Sequence, residues 1–244
     1  MLEVKNLRVK KGEKFLLKNV NFSFSYGDFV AVIGPNGAGK STLMQYLSGI
    51  ENDYQGEIFL EKTNLKNFSL KELAEKRACL SQNYQINFPF KIEEIIAMGL
   101  ENEDEKVIDE LLLQLDIFHL KNRQFNNLSG GEKQRVQIAR VLAQIYNKEN
   151  VFLFLDEPIS SLDLKHQFLL LKLLKNLSEK KVGIFTIIHD LSLSIAFANK
   201  FLLLKNGEVF SFQNKEKTFT NKNLVELFDV DEIEVKNYFK KLLA

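Results

Sequence analysis

The sequence predicts an α/β fold built on a mostly parallel core sheet, and three stretches carry that reading. Residues 29–34 (FVAVIG) are a short, unbroken apolar run that enters a glycine-rich turn. After the turn, Leu43, Met44, Leu47 and Ile50 recur at helical spacing, so a helix starts near Lys40. Strand, loop and helix in that order make half of a βαβ unit. Residues 151–156 (VFLFLD) and 182–188 (VGIFTII) are two further continuous apolar runs. That pattern suits parallel strands covered on both faces.

The remaining elements follow from weaker patterns. Residues 2–9 and 15–24 alternate between apolar and polar, which suggests an antiparallel edge sheet near the N-terminus. Residues 92–120 read as helical, with no strand signal, and lie between two strand regions. They predict a helical subdomain. Residues 222–243 predict a C-terminal helical appendage. There is no internal repeat and no low-complexity segment. At 244 residues, 45% of them hydrophobic, the chain can form one sizeable core.

Composition excludes several classes. With 33 basic and 32 acidic residues there is no electrostatic case for nucleic-acid binding. One cysteine, Cys79, rules out an intrachain disulfide and fits a reducing, cytosolic setting. The N-terminus lacks the apolar stretch of a signal peptide. No apolar run reaches the roughly 18 residues a membrane span needs. The 21 phenylalanines read as core composition.

The strongest motif is Gly34-Pro35-Asn36-Gly37-Ala38-Gly39-Lys40-Ser41-Thr42, which matches GxxxxGK[ST] between a buried strand and a helix. Glycines let successive backbone N–H groups turn inward around phosphate oxygens. The helix that follows offers its positive end to the same anion. Lys40 can reach the β- and γ-phosphates, and the Ser41 hydroxyl can ligate magnesium. The sequence therefore predicts a site for Mg2+ with a nucleoside triphosphate.

Such a site needs a second carboxylate for the metal. Asp156 ends an apolar strand, where that aspartate belongs, and Glu157 follows it. The pair can divide labour, Asp156 holding the metal and Glu157 acting as general base; the other reading is a solvated turn. Leu128-Ser129-Gly130-Gly131-Glu132 precedes a helical run. It reads as a capping box with Ser129 as N-cap and Glu132 at N3, and also as a second anion site. His189 follows the strand 182–188, at the end where open α/β sheets place ligands. Gln82 ends the short stretch ACLSQ and says nothing alone.

Together these residues resemble the nucleotide-binding subunit of ABC transporters. GPNGAGKST (34–42), Gln82, LSGGEKQR (128–135), VFLFLDEP (151–158), SSLD (160–163) and His189 resemble that family's Walker A, Q-loop, signature, Walker B, D-loop and H-loop. LSGGE is the specific element, since Walker A alone admits many NTPases. The resemblance implies a P-loop NTPase (ABC ATPase) fold in one domain, 1–244. Residues 1–82 and 145–220 would form the nucleotide-binding core with an antiparallel β-subdomain. Residues 83–144 would form the helical subdomain with the signature, and 221–244 the C-terminal appendage.

It also implies a mechanism that one chain cannot complete. Two copies pair head-to-tail, each ATP lying between Walker A of one and LSGGE of the other. Ser129, Gly130 and Gly131 then bind the γ-phosphate in trans, and His189 contacts it in cis. Gln82 contacts the magnesium and the attacking water, and Asp163 couples the two sites. The implied partners are an integral membrane permease and, indirectly, a substrate-binding protein, at the cytoplasmic face of the membrane. CLSQ (79–82), IEEIIAMG (92–99), IARVLAQ (138–144), SLDLKHQ (161–167) and HDLSLSIAFANKFLLLKNGEV (189–209) resemble the importers of haem, iron-siderophores and cobalamin. LDLKHQ is closest to the haem type.

The sequence departs from the family at two points. Where an aromatic residue usually stacks on adenine, Lys10 and Lys11 precede Gly12; Phe15 or a lysine stem is left for that role. Ile159 stands where a threonine is usual. Beside Gln82, around Tyr84 to Ile95, Phe88 and Phe90 offer a permease contact or else belong to the core. Cytosolic translation ABC proteins usually carry two such domains, and this chain has one. Chromosome-maintenance ATPases need heptad insertions for which the Lys40–Ser129 interval is too short.

Overall fold

The structure, a computed structural model, describes residues 1–81 and 88–243, the last six by backbone alone. In chain order the elements are β1 (Leu2–Lys11), β2 (Lys14–Phe24), β3 (Phe29–Ile33), α1 (Lys40–Leu47), β4 (Gln55–Leu60) and β5 (Thr63–Asn64). There follow α2 (Leu70–Lys76), β6 (Arg77–Leu80), α3 (Ile92–Ala97), α4 (Glu105–Gln114), α5 (Gly130–Gln144), β7 (Val151–Asp156) and α6 (Leu164–Glu179). The chain continues through β8 (Val182–Ile187), α7 (Leu191–Phe197), β9 (Lys200–Lys205), β10 (Glu208–Gln213), α8 (Lys215–Thr218), α9 (Asn221–Phe228) and α10 (Glu232–Leu243).

Two sheets form. The first is antiparallel, in the order β2-β1-β4-β5; the second runs β10-β9-β3-β8-β7-β6. Within the second, β3, β6, β7, β8 and β9 are parallel and only β10 is antiparallel to its neighbour. The predicted α/β class and mostly parallel sheet are observed, as is the N-terminal antiparallel sheet.

The continuous apolar runs have the physical cause expected of them. Along β7, Phe152 and Phe154 point into the core shared with the antiparallel sheet and α1, whereas Val151, Leu153 and Leu155 point into the core shared with α3, α4, α5 and α6. Alternate side chains thus meet different layers, and both are dry. In β8, Phe185 and Ile187 face one side and Val182 and Ile184 the other. Between the sheets, Phe22, Phe24, Phe152, Phe154 and Phe185 form one aromatic cluster with ring centroids 5.0–6.5 Å apart. The C-terminal appendage covers β3 and β9, where Leu227 joins Ala31, Ile33, Phe201 and Leu203.

Residues 92–120 are helical, but in two short helices, α3 and α4, that pack with α5 onto the sheet. The two phenylalanines near α3 divide: Phe90 packs against the core, and Phe88 is 68% exposed. Among the described residues no helix is long and apolar enough to cross a membrane.

Candidate functional site

The predicted stations converge because of the sheet. Gly34 follows β3, Asp156 ends β7, and His189 lies just beyond β8, so all three sit at the carboxyl end of neighbouring parallel strands. That edge is where open α/β sheets bind ligands. Gln82 lies outside the described residues.

The loop from Gly34 to Gly39 is shaped by close approach. A Cβ on Gly34 would lie 2.1 Å from the Leu204 carbonyl oxygen, so β9 excludes any side chain there. Gly39 has φ +102°, a conformation that glycine alone adopts freely, and it delivers the chain into α1. Among the described residues no side chain caps α1, which leaves its first N–H groups for an anion. Lys40 is buried. Its Nζ donates to Gly34 O at 2.8 Å and Pro35 O at 3.0 Å. Burial pulls its pKa below the usual lysine value, against the opposing pull of Glu157 and Asp156.

Asp156 is 7% exposed, and its carboxyl is pushed above the usual aspartate range by burial first, with Glu157 adding repulsion. Ser41 donates to it and holds the value down in part. Its Oδ1 is buried with no hydrogen-bond partner among the described residues. A buried carboxylate oxygen without a donor, next to the Ser41 hydroxyl, fits a divalent cation. Among the described residues no group of three or more His, Cys, Asp and Glu forms a dedicated metal cage. A magnesium held by one carboxylate, one hydroxyl and phosphate oxygens needs none.

Glu157 adopts φ +48°, an uncommon conformation for a residue with a Cβ, just where the chain leaves β7. Its Oε1 lies 2.7 Å from His189 Nε2. The base candidate Glu157 and the sequence-predicted site residue His189, 32 positions apart in sequence, are therefore hydrogen-bonded.

His189 lines a separate hollow with Leu191 and Phe228, whereas the phosphate loop and Glu157 open on one cavity of about 620 Å³, also lined by Lys14, Phe15, Leu16, Lys18, Asn206 and Gly207. The sequence reading missed the last two and the lysines. Asn206-Gly207 is the β9–β10 turn, an Asn-Gly hairpin signal legible in principle. Gly207 accepts from Lys18 N at 2.7 Å and donates to Ala38 O at 3.0 Å, tying that turn to the loop. Phe15 pairs with Lys10 across the β1–β2 hairpin and lies under its ammonium at 5.6 Å, half-exposed at the cavity.

Ser129 stands apart from that cavity. It caps α5 in the expected box: Ser129 N donates to Glu132 Oε2 at 2.8 Å, and Glu132 N to Ser129 Oγ at 3.4 Å. Among the described residues Ser129, Gly130 and Gly131 line none of the Walker A cavity. Asp163 caps α6, accepting from His166 N at 3.0 Å.

A family model described as ABC transporter matches residues 17–160, more than half of the chain. The chain belongs to the ABC transporter family. It is 38% identical to the hemin import ATP-binding protein HmuV of Hahella chejuensis, covering 95% of this chain and 93% of that protein. It is 37% identical to the protein of the same name from Pseudoalteromonas translucida, again covering 95% and 93%. Among solved structures it is similar to a dimeric ATP-binding cassette in a post-hydrolysis state with ADP and Pi, with a TM-score of 0.75 and 28% identity over 88% of this chain and 98% of that one. It is also similar to an inward-facing transporter described as metal-chelate type, with a TM-score of 0.75 and 30% identity over 94% of this chain and 89% of that one. Within the ABC family, then, this chain is an ATP-hydrolysing subunit of an importer.

Proposed function

We propose that the chain powers uptake of haem through a separate membrane permease, working as a head-to-tail pair of copies. The observation that carries the cargo is the set of relatives named for hemin import, 36–38% identical over nearly the whole chain. The metal-chelate neighbour supports a second reading, import of an iron-siderophore or cobalamin.

In this reading the γ-phosphate takes the place of Gly34 O and Pro35 O on the Lys40 ammonium, and backbone N–H groups of residues 36–42 cradle the chain of phosphates. Ser41 and Asp156 would hold Mg2+, which would neutralise charge on the phosphates when bound. Glu157 accepts a proton from water as the water oxygen attacks the γ-phosphorus; the bond to the β-phosphate oxygen breaks and ADP leaves. His189, held by Glu157, contacts the γ-phosphate. Gln82 acts on the magnesium and that water by family resemblance alone. Adenine stacks on Phe15, the aromatic face at the cavity.

Ser129, Gly130 and Gly131 lie off the Walker A cavity, which supports their service in trans, and Asp163 couples the two sites. Mixing Lys40→Ala and Ser129→Ala chains tests this: the mixture regains ATPase activity through one intact composite site, and dimers without any rescue overturn it. The cargo is tested by reconstituting the chain with its permease in vesicles. ATP-dependent uptake of haem is expected, and uptake of a ferric siderophore or cobalamin instead overturns the haem assignment.

A further inference from the structure

Three helix ends meet in a polar junction beside the loop 158–163. From α5, the buried Arg135 donates through Nη1 to Leu115 O at 3.0 Å and Asp116 O at 2.7 Å, just beyond α4. The Asp116 carboxylate accepts from Lys165 Nζ at 2.6 Å through Oδ2, and the same oxygen lies 3.3 Å from His166 Nε2. On the other side of that imidazole, Nδ1 lies 2.8 Å from each Asp163 carboxylate oxygen. Carboxylates only accept, so both ring nitrogens must donate for this double contact to be complete. The His166 side chain is 14% exposed, whereas Asp116 and Asp163 are 43% and 66% exposed. Asp163 lies below the usual aspartate range because His166 donates to it from backbone and ring.

The loop itself is gripped from both helices. A Cβ on Gly131 would sit 2.9 Å from Ser161 O, so the signature glycine lies directly on the loop backbone. Gln134 of α5 donates to Pro158 O at 3.3 Å. Gln167 of α6 donates to Ile159 O at 3.2 Å and Leu162 O at 3.0 Å.

We propose that His166 is a positioning residue, clasping Asp163 to Asp116 so that the loop 158–163 and the signature segment Ser129–Gly131 reach a second copy of the chain as one rigid edge. The proposal rests on the head-to-tail reading above. Exposed ion pairs contribute little to stability, so the clasp acts through alignment of the edge. Its signature is kinetic.

The test compares His166→Asn, which keeps an amide donor for Asp163 and loses the reach to Asp116, with His166→Gln, whose longer amide approaches Asp116, and with Asp116→Ala. Steady-state ATP hydrolysis and thermal melting are measured on the full-length chain. His166→Asn and Asp116→Ala should each lower kcat about two- to thirty-fold, with KM for ATP and Tm little changed. The double variant should be no slower than the slower single one, and His166→Gln should recover part of the loss. Unchanged kcat in His166→Asn and Asp116→Ala, or losses that simply multiply in the double variant, overturns the clasp. Rescue in the Lys40→Ala and Ser129→Ala mixture separates the two readings. Rescue together with unchanged kcat in His166→Asn overturns the clasp alone, and absence of rescue overturns the head-to-tail arrangement beneath it.

Discussion

Asp156→Asn should make the chain more stable without nucleotide and less stable with it. The carboxyl of Asp156 lies above the usual aspartate range because burial penalises its charge, and its Oδ1 has no donor among the described residues. A folded-state pKa above the unfolded one means the ionised form is disfavoured by folding, so the penalty operates at neutral pH and disappears once both states are protonated, below about 3.9. Replacing the charge with a neutral amide should add about 1 kcal/mol, or about 2–4 °C in Tm for a chain of this size. Ligand linkage works in the opposite direction. ATP with magnesium at a hundred times its Kd stabilises the parent chain by about 2.7 kcal/mol, or about 5–11 °C. A hundredfold loss of metal-dependent affinity leaves the variant less than about 1 kcal/mol of that. Scanning calorimetry with ATP and either magnesium or EDTA should therefore show the two chains exchanging rank. An unchanged magnesium-dependent increment in the variant would refute the assignment of Asp156 to the metal.

Glu157→Gln should abolish turnover and accumulate an ATP-bound dimer, visible by size-exclusion chromatography; turnover at the parent rate removes Glu157 from its role. Phe15→Ala should raise KM for ATP about five- to 150-fold with kcat retained, because stacking on a base face is worth about 1–3 kcal/mol; an unchanged KM assigns adenine to another group. Gly34→Ala should lower stability by more than about 1 kcal/mol, since its Cβ would stand 2.1 Å from a backbone oxygen that cannot rotate away, and a melting curve like the parent's would contradict that.

How much of this was legible follows from the range of each interaction. The strands 29–33, 151–156 and 182–187 stood out because both their faces are dry, and Lys40 was placed at a helix start because glycines and helical spacing are local signals. Ser129 and Glu132 form a capping box only three positions apart, equally local. β4 and β10 are half-exposed and give weak patterns, whereas β9 is a buried four-residue apolar run, Phe201–Leu204, between two lysines, too short a run to separate strand from helix by periodicity. The hydrogen bond from His189 to Glu157 and the contact of His166 with Asp116 join residues 32 and 50 positions apart through the sheet and helix packing, which no local pattern encodes. Lys10 and Lys11 suggested a missing aromatic. In the hairpin register Phe15 sits directly across from Lys10.

The phosphate loop is also a late product of the chain. Its shape at Gly34 is set by Leu204 O, and its Ala38 carbonyl is held by Gly207, both contributed by the β9–β10 hairpin far downstream. During synthesis the motif itself emerges early, yet the scaffold that closes around it leaves the ribosome near the end. A nascent chain stopped before β9 thus carries every Walker A residue and lacks the hairpin whose backbone contacts Gly34 and Ala38.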